Sequence, residues 1–329
     1  LVLVVLILGA ILAGYGWHDA PAGRPNTFLN FDNIVDGVAT PMSYYAIMAV
    51  GLTVVVITGG IDISVGSIMA LAALGGAAVL QGFPVDAPAW QVLPLALAVP
   101  LAIGVVCGLA NGALIVGLRL HPFIVTLGTM SVFRGLANVL PEQKTLPAAG
   151  RRLPEAFTTD FMREEWLGIQ PMPLLIMLVC IGLGWFYLHS TVAGRETYAV
   201  GGNEEAARFS GLRVDRIKLR TYALSGLTAG IAGFVSLGRF GTASTSTGTG
   251  YELTVIAAAV VGGASLAGGR GTALGALLGT LIIALIENGI LILRLAQEYR
   301  LVIIGLAIVV AVALERLGQH LRRSGGPGR

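Results

Sequence analysis

Charge is what this chain has least of. Only 12% of its 329 residues are Asp, Glu, Lys or Arg, about half the ~25% of an ordinary soluble domain. With 55% hydrophobic residues and a mean hydropathy of +0.81, that scarcity excludes a soluble globular protein and implies a polytopic membrane protein. Lysine is scarcer still, with Lys144 after Gln143 and Lys218 after Ile217 as its two occurrences. Neither stands in a GxxxxGK[ST] loop, so the chain has no such site for nucleotide phosphates. No polar stretch is long enough to fold as an ATPase or a solute-binding domain. The two cysteines, Cys107 and Cys180, lie inside apolar runs, where they pack as small soft side chains and say little of redox compartment. His121, before Pro122, has no cysteine or carboxylate neighbours and makes no metal site. A net charge of +3 is too small to suggest nucleic acid, and its basic residues gather at the ends of apolar runs.

Those runs are what the sequence does contain. A crossing needs about 20 apolar residues, and ten are expected: 1–16, 41–58, 64–81, 90–118, 122–140, 171–189, 220–238, 251–263, 272–293 and 301–315. The eighth is too short to cross alone, which predicts a broken or partly re-entrant element shielded from lipid by other helices. The fold class is therefore an all-α polytopic membrane protein, read as a single transmembrane domain over residues 1–329. With the N-terminus inside, the inner segments hold twelve basic residues against six acids, and the outer segments eight against eleven. This asymmetry places both termini in the cytoplasm. The first run, LVLVVLILGAILAGYG, reads as a span cut at its cytoplasmic edge, with a signal sequence cleaved near DAPAG as the alternative.

The longest strongly basic polar segment, 191–220, organises the rest. Asn203 suits a helix N-cap, Glu204 and Glu205 suit the first turn, and Gly211 suits the C-terminal stop, predicting a helix of about two turns. Arg213, Arg216, Lys218 and Arg220 follow. Two further glycine motifs echo each other: Gly59-Gly60-x-x-Ile63-x-x-Gly66 and Gly262-Gly263-x-x-Leu266-x-x-Gly269. Repeated halves are common in transporters, although a chain with 46 glycines also produces such matches by chance.

GGNEEAARFSGLRV, read with GGIDISVGS and with the stretch from TGTGYEL to GGASLAGGRG, resembles the permease subunits of ribose-type ABC sugar importers. The resemblance runs from about Asn26 to Leu314. It implies a cytoplasmic coupling element made of Gly201, Gly202, Asn203, Glu204, Glu205, Ala206, Ala207, Arg208, Phe209 and Gly211. It also implies a separate cytoplasmic ABC ATPase subunit that binds ATP and Mg, with no cofactor bound by this chain itself. Further implied partners are a periplasmic or lipid-anchored sugar-binding protein, and a second permease copy or a sister permease. The outer loop 141–170, with Arg151, Arg152, Glu155, Glu164 and Glu165, faces the binding protein in that arrangement. The family often has a neutral residue where Glu287 stands.

Ionisable groups within spans are costly and are candidates for function. Arg134 lies about 18 Å up the fifth run and Glu287 about 22 Å up the ninth, so they either pair or face a vestibule. Ser131, Arg134 and Asn138 share one helical face, which suits an uncharged polyhydroxylated solute or interhelical hydrogen bonds. Glu252 and Asn288 complete the candidate path. Thr242 to Thr249 reads as an outer turn, and Asp62 as a cap at the start of the third run. The rival readings are a permease for another solute, such as an autoinducer or a branched-chain amino acid, an ion-coupled transporter using Asp62, Glu252 or Glu287, and a non-transporting scaffold.

Overall fold

The computed structural model describes residues 1–19, 26–139, 144–166, 168–296, 298–300, 302–306, 309–310 and 313. Its helices are α1 (Val2–Asp19), α2 (Thr40–Ile57), α3 (Val65–Leu80), α4 (Ala89–Leu118), α5 (Pro122–Val139), α6 (Glu155–Phe157), α7 (Met172–Ser190), α8 (Val192–Gly202), α9 (Glu204–Phe209), α10 (Val214–Phe240), α11 (Tyr251–Val261) and α12 (Ala273–Ile292). A π-helical segment, Asn33–Ala39, leads into α2, and another, Thr158–Met162, follows α6. Two short strands, β1 (Thr145–Leu146) and β2 (Ala243–Ser244), pair antiparallel, with Thr145 opposite Ser244 and Leu146 opposite Ala243.

Among the described residues, five helical stretches are long and apolar enough to cross a membrane: Asn33–Ile57, Ala89–Leu118, Met172–Ser190, Val214–Phe240 and Ala273–Ile292. Val2–Gly16, Val65–Leu80 and Tyr251–Val261 are apolar but shorter. α5 occupies the expected fifth run, while most of the tenth, 301–315, lies outside the described residues. The eighth run is an eleven-residue helix, α11, which follows a turn containing Gly248 and Gly250 at positive φ. The seventh begins at Val214 rather than at residue 220, because Asp215 in the first turn suits a helix start. Arg216, Lys218 and Arg220 are therefore helical.

α2 forms the centre. From Met42 to Ile57 every residue is buried, as expected of a helix that is apolar on all sides and packed on all sides. α10, α7, α11 and α12 surround it. The periphery is equally apolar but open: Leu178, Val179, Leu183 and Phe186 of α7 are exposed, as lipid-facing side chains are. α4 and α10 pack most closely of all. Gly104 and Gly108 meet Gly226 and Gly230, and a Cβ at any of these would run into the facing backbone. Two GxxxG pairs thus let the helices approach to backbone contact, the usual substitute for hydrophobic driving force in lipid.

Candidate coupling surface and translocation path

The three glycine-rich motifs converge on one end of the molecule. Gly269 N–H donates to the Ile57 carbonyl at 2.8 Å, and a side chain at Gly201 would strike that same carbonyl and the Gly269 nitrogen. Gly268 approaches Gly201 and Gly59 in the same way. Tyr198 Oη donates to the Gly271 carbonyl at 2.7 Å, so α8 is stitched directly to the turn before α12. Gly201 and Gly202 end α8, a helix the sequence reading placed within a loop. Its start is capped by Thr191, whose hydroxyl accepts from Gly194 N–H.

α9 is built as its sequence predicts. Asn203 Oδ1 accepts from Ala206 N–H at 2.9 Å, and Glu204 and Glu205 occupy the first turn. At the other end Gly211, at φ 84°, lets Leu212 N–H reach the Ala207 carbonyl and Gly211 N–H reach Arg208, which is a Schellman stop. The underside is apolar: Ala207 packs with Val200, Val214 and Ile217, and Leu212 closes the cluster. Charge fixes the flank. Lys218 Nζ lies 2.7 Å from Glu204 Oε2, Arg208 Nη2 3.2 Å from Glu204 Oε1, and Arg208 Nη2 2.9 Å from Asp215 Oδ1. Partial burial raises the Glu204 pKa, but Lys218 and then Arg208 outweigh it and hold the carboxyl below its ordinary value. A cavity of about 450 Å³ beside this network is lined by Arg119, Glu204, Arg208, Asp215 and Lys218. Phe209 projects from α9 at 91% exposure, an aromatic ring with nothing over it among the described residues.

The path residues do not form one row. Arg134 Nη1 donates to the carbonyls of Thr245 and Thr247, at 3.0 and 2.7 Å, pinning the turn between β2 and α11. Glu252 Oε1 accepts from Gly250 N–H at 3.2 Å, and its other oxygen lies against Gly66. Ser131 is exposed and bonds back to the Leu127 carbonyl, and Asn138 is exposed on the same helix. Pairing between Arg134 and Glu287 is not found. Glu287 instead pairs with Arg300, at 2.7 Å, and Arg300 also donates to Tyr45 Oη. Asn288 is buried and exchanges amide hydrogen bonds with Asn33. Asn33 and Tyr45 come from the other end of the sequence, and Arg300 lies 13 residues past Glu287, beyond the end of α12, so no helical spacing pointed to these partners.

Asp62 is held more elaborately than a cap requires. It is fully buried, and accepts from Ser64 N–H and Oγ, Ser225 Oγ and Asn111 Nδ2. One carboxylate therefore joins the turn after α2 to α4 and α10. His121 Nδ1 accepts from Phe123 N–H at 3.3 Å, a local turn at the start of α5.

With this geometry in place, comparison with known proteins decides the class. The profile of the family described as "Branched-chain amino acid transport system / permease component" matches residues 34–312. The chain belongs to this family of permease components. It is 37% identical to the ribose import permease protein of Escherichia coli K12 over 90% of its length and 88% of the relative's. It is 41% identical to the ribose import permease protein of Bacillus subtilis, over 88% and 85%. The D-allose transport system permease protein of Escherichia coli K12 is 34% identical, over 94% and 90%. The comparison with solved structures found no significant match. The resemblance carried by the three glycine motifs is thus borne out, and the chain is a multi-pass permease subunit.

Proposed function

We propose that this chain forms the translocation path of an ATP-driven importer for a simple sugar, ribose or a similar monosaccharide. The single observation that carries the reading is 37% and 41% identity to two ribose import permeases over nearly the whole chain. The subunit sits in the cytoplasmic membrane with both termini inside, as the charge asymmetry favours. An ATPase subunit holding ATP and Mg docks on α9. The exposed Phe209 and Glu205 meet it, while Glu204, Arg208, Asp215 and Lys218 fasten α9 to α10. An external binding protein delivers the sugar, and a second copy or a sister permease completes the pore. Closure of the ATPase moves α9, and because α9 is clamped to α10 and α8 to the Gly59 and Gly268 turns, the movement reaches the bundle. The chain does no covalent chemistry. Arg134, Glu252 and the Thr245–Thr247 carbonyls offer the solute hydrogen-bonding groups beside α5.

Reconstitution of the chain with its ATPase and binding protein in liposomes tests this, following labelled ribose and ATP hydrolysis together. Ribose uptake that needs all three proteins and hydrolysable ATP is expected. Sugar-stimulated hydrolysis without ribose uptake assigns another solute, with the autoinducer-2 import permease LsrD of Escherichia coli, at 33% identity, indicating the next to try. Uptake driven by a proton gradient without the ATPase overturns the reading.

A further inference from the structure

The cavity beside α9 has a charge balance that the clamp does not explain. Three cations line its space of about 450 Å³, Arg119, Arg208 and Lys218, against two carboxylates, Glu204 and Asp215. Arg208 meets both carboxylates through Nη2, and Lys218 meets Glu204. The surplus is one positive charge, carried by Arg119, which is exposed and makes no ion pair or hydrogen bond among the described residues. Its backbone is unusual as well. Arg119 follows the last turn of α4 at φ 53° and ψ 34°, a left-handed conformation that crowds a Cβ and that glycine adopts freely. A basic residue there complements the end of the helix, but so would one on a relaxed backbone. This one is held on a strained backbone with its donors unused among the described residues.

Apolar side chains supply the remainder of the lining: Ile115, Val116, Leu120 and Pro122. On either side the chain continues with exposed apolar residues, Leu118 before Arg119 and Phe123, Ile124 and Leu127 after it, the same kind of surface that α7 turns outward. The cavity thus lies where an apolar, lipid-facing surface gives way to charge. A free anion, or an acidic side chain of another protein, would use the cations and leave the apolar part wet. An amphipathic anion uses both, and a guanidinium matches phosphate oxygens through two parallel hydrogen bonds. Basic pockets between helices at the cytoplasmic boundary are where anionic headgroups bind.

We propose that this cavity holds the phosphate of an anionic phospholipid of the inner leaflet, with Arg119 as its partner and the acyl chains along α4 and α5. The assignment rests on the importer reading above, which puts α9 on the cytoplasmic side. A phosphodiester such as that of phosphatidylglycerol brings the single negative charge that balances the site. It also ties the turn between α4 and α5 to the flank of α9 where Arg208 stands. The lipid thereby adds an anchor to the Lys218 clamp and to the glycine contacts of α8. Its headgroup becomes a regulator of coupling, because α9 is the element that the ATPase moves.

The test uses the permease with its ATPase in phosphatidylcholine nanodiscs, with phosphatidylglycerol as the added probe. Arg119→Gly removes the cation and relieves the left-handed backbone, so this complex is expected to unfold no earlier than wild type. It should nevertheless bind phosphatidylglycerol about tenfold or more weakly, whereas Arg119→Lys keeps most of the binding. Added phosphatidylglycerol should raise the unfolding temperature of the wild type but not of Arg119→Gly. In proteoliposomes with the binding protein, it should raise ribose uptake per ATP hydrolysed in the wild type alone. Equal phosphatidylglycerol affinity in wild type and Arg119→Gly overturns the site. The same rise in unfolding temperature with inorganic phosphate and no anionic lipid assigns a free anion and overturns it too. Loss of the ATPase from Arg119→Gly with lipid binding unchanged assigns Arg119 to the ATPase interface and likewise overturns it. Lipid binding is read without transport, so uptake that needs no ATPase would remove the importer reading while the dependence of lipid binding on Arg119 still stands.

Discussion

Two carboxylates at the end of the bundle that carries α8 and α9 are held in opposite ways. Asp62 is fully buried and is surrounded by hydroxyl, amide and backbone donors, with no cation in contact among the described residues. Glu204 is partly exposed and is held by Lys218 and Arg208. Directional hydrogen bonds to a buried charge fix geometry strongly, because every donor left without its acceptor remains buried. Exposed ion pairs contribute little stability but set the orientation of a short helix. The first arrangement is suited to a joint that must not move, and the second to a lever whose position must be transmitted.

The largest effect that would sharpen this contrast is at the joint. Asp62→Ala leaves Ser64, Ser225 and Asn111 without their shared acceptor, and is expected to cost about 1–3 kcal/mol for each buried donor left unsatisfied, seen as a lowered thermal unfolding temperature in detergent and reduced membrane yield. A wild-type unfolding temperature would show that the cluster is not structural. Gly201→Val comes next. Its side chain must displace the Ile57 carbonyl and the Gly269 nitrogen, which costs roughly 1–3 kcal/mol by overpacking and separates α8 from the two glycine turns. The measurement is again thermal unfolding, with ATPase-coupled uptake as the functional readout. At the lever, a double-mutant cycle of Glu204→Gln and Lys218→Met should give a coupling energy of about 0.2–1 kcal/mol. A value as large as that of the joint would erase the distinction.

The smallest effect is with pH. The Glu204 carboxyl is held below its ordinary value near 4.5, so its contribution is fully present above that value and disappears as pH falls through the lower, folded one. Unfolding temperature of the wild type should therefore lose a small increment on acidification that Glu204→Gln lacks. An identical acid profile in the two proteins would mean that the ion pair adds nothing.

The sequence made the coupling side legible and left much of the path obscure. Asn203, Glu204 and Gly211 announce α9 because caps and dipole preferences are local, and their geometry follows in the structure. The clamp is hidden because the seventh apolar run begins only at residue 220, whereas Asp215 and Lys218 form the first turns of α10. Asp62 was read as a local cap, since Asn111 and Ser225 reach it from α4 and α10, across sequence distances that no periodicity records. Arg134 and Glu287 illustrate the same limit. Similar depth along two helices does not fix which way each side chain turns, and the turn before α11 and Arg300 are the partners they meet.

The central claim is that Glu204 and Lys218 transmit force between α9 and α10. Proteoliposomes containing the permease, its ATPase and its binding protein allow ribose uptake per ATP hydrolysed to be compared for wild type, Glu204→Lys, Lys218→Glu and the doubly exchanged protein. Each single reversal is predicted to hydrolyse ATP with little uptake, and the exchange to restore much of the lost coupling. Wild-type uptake per ATP in either single reversal would contradict the account.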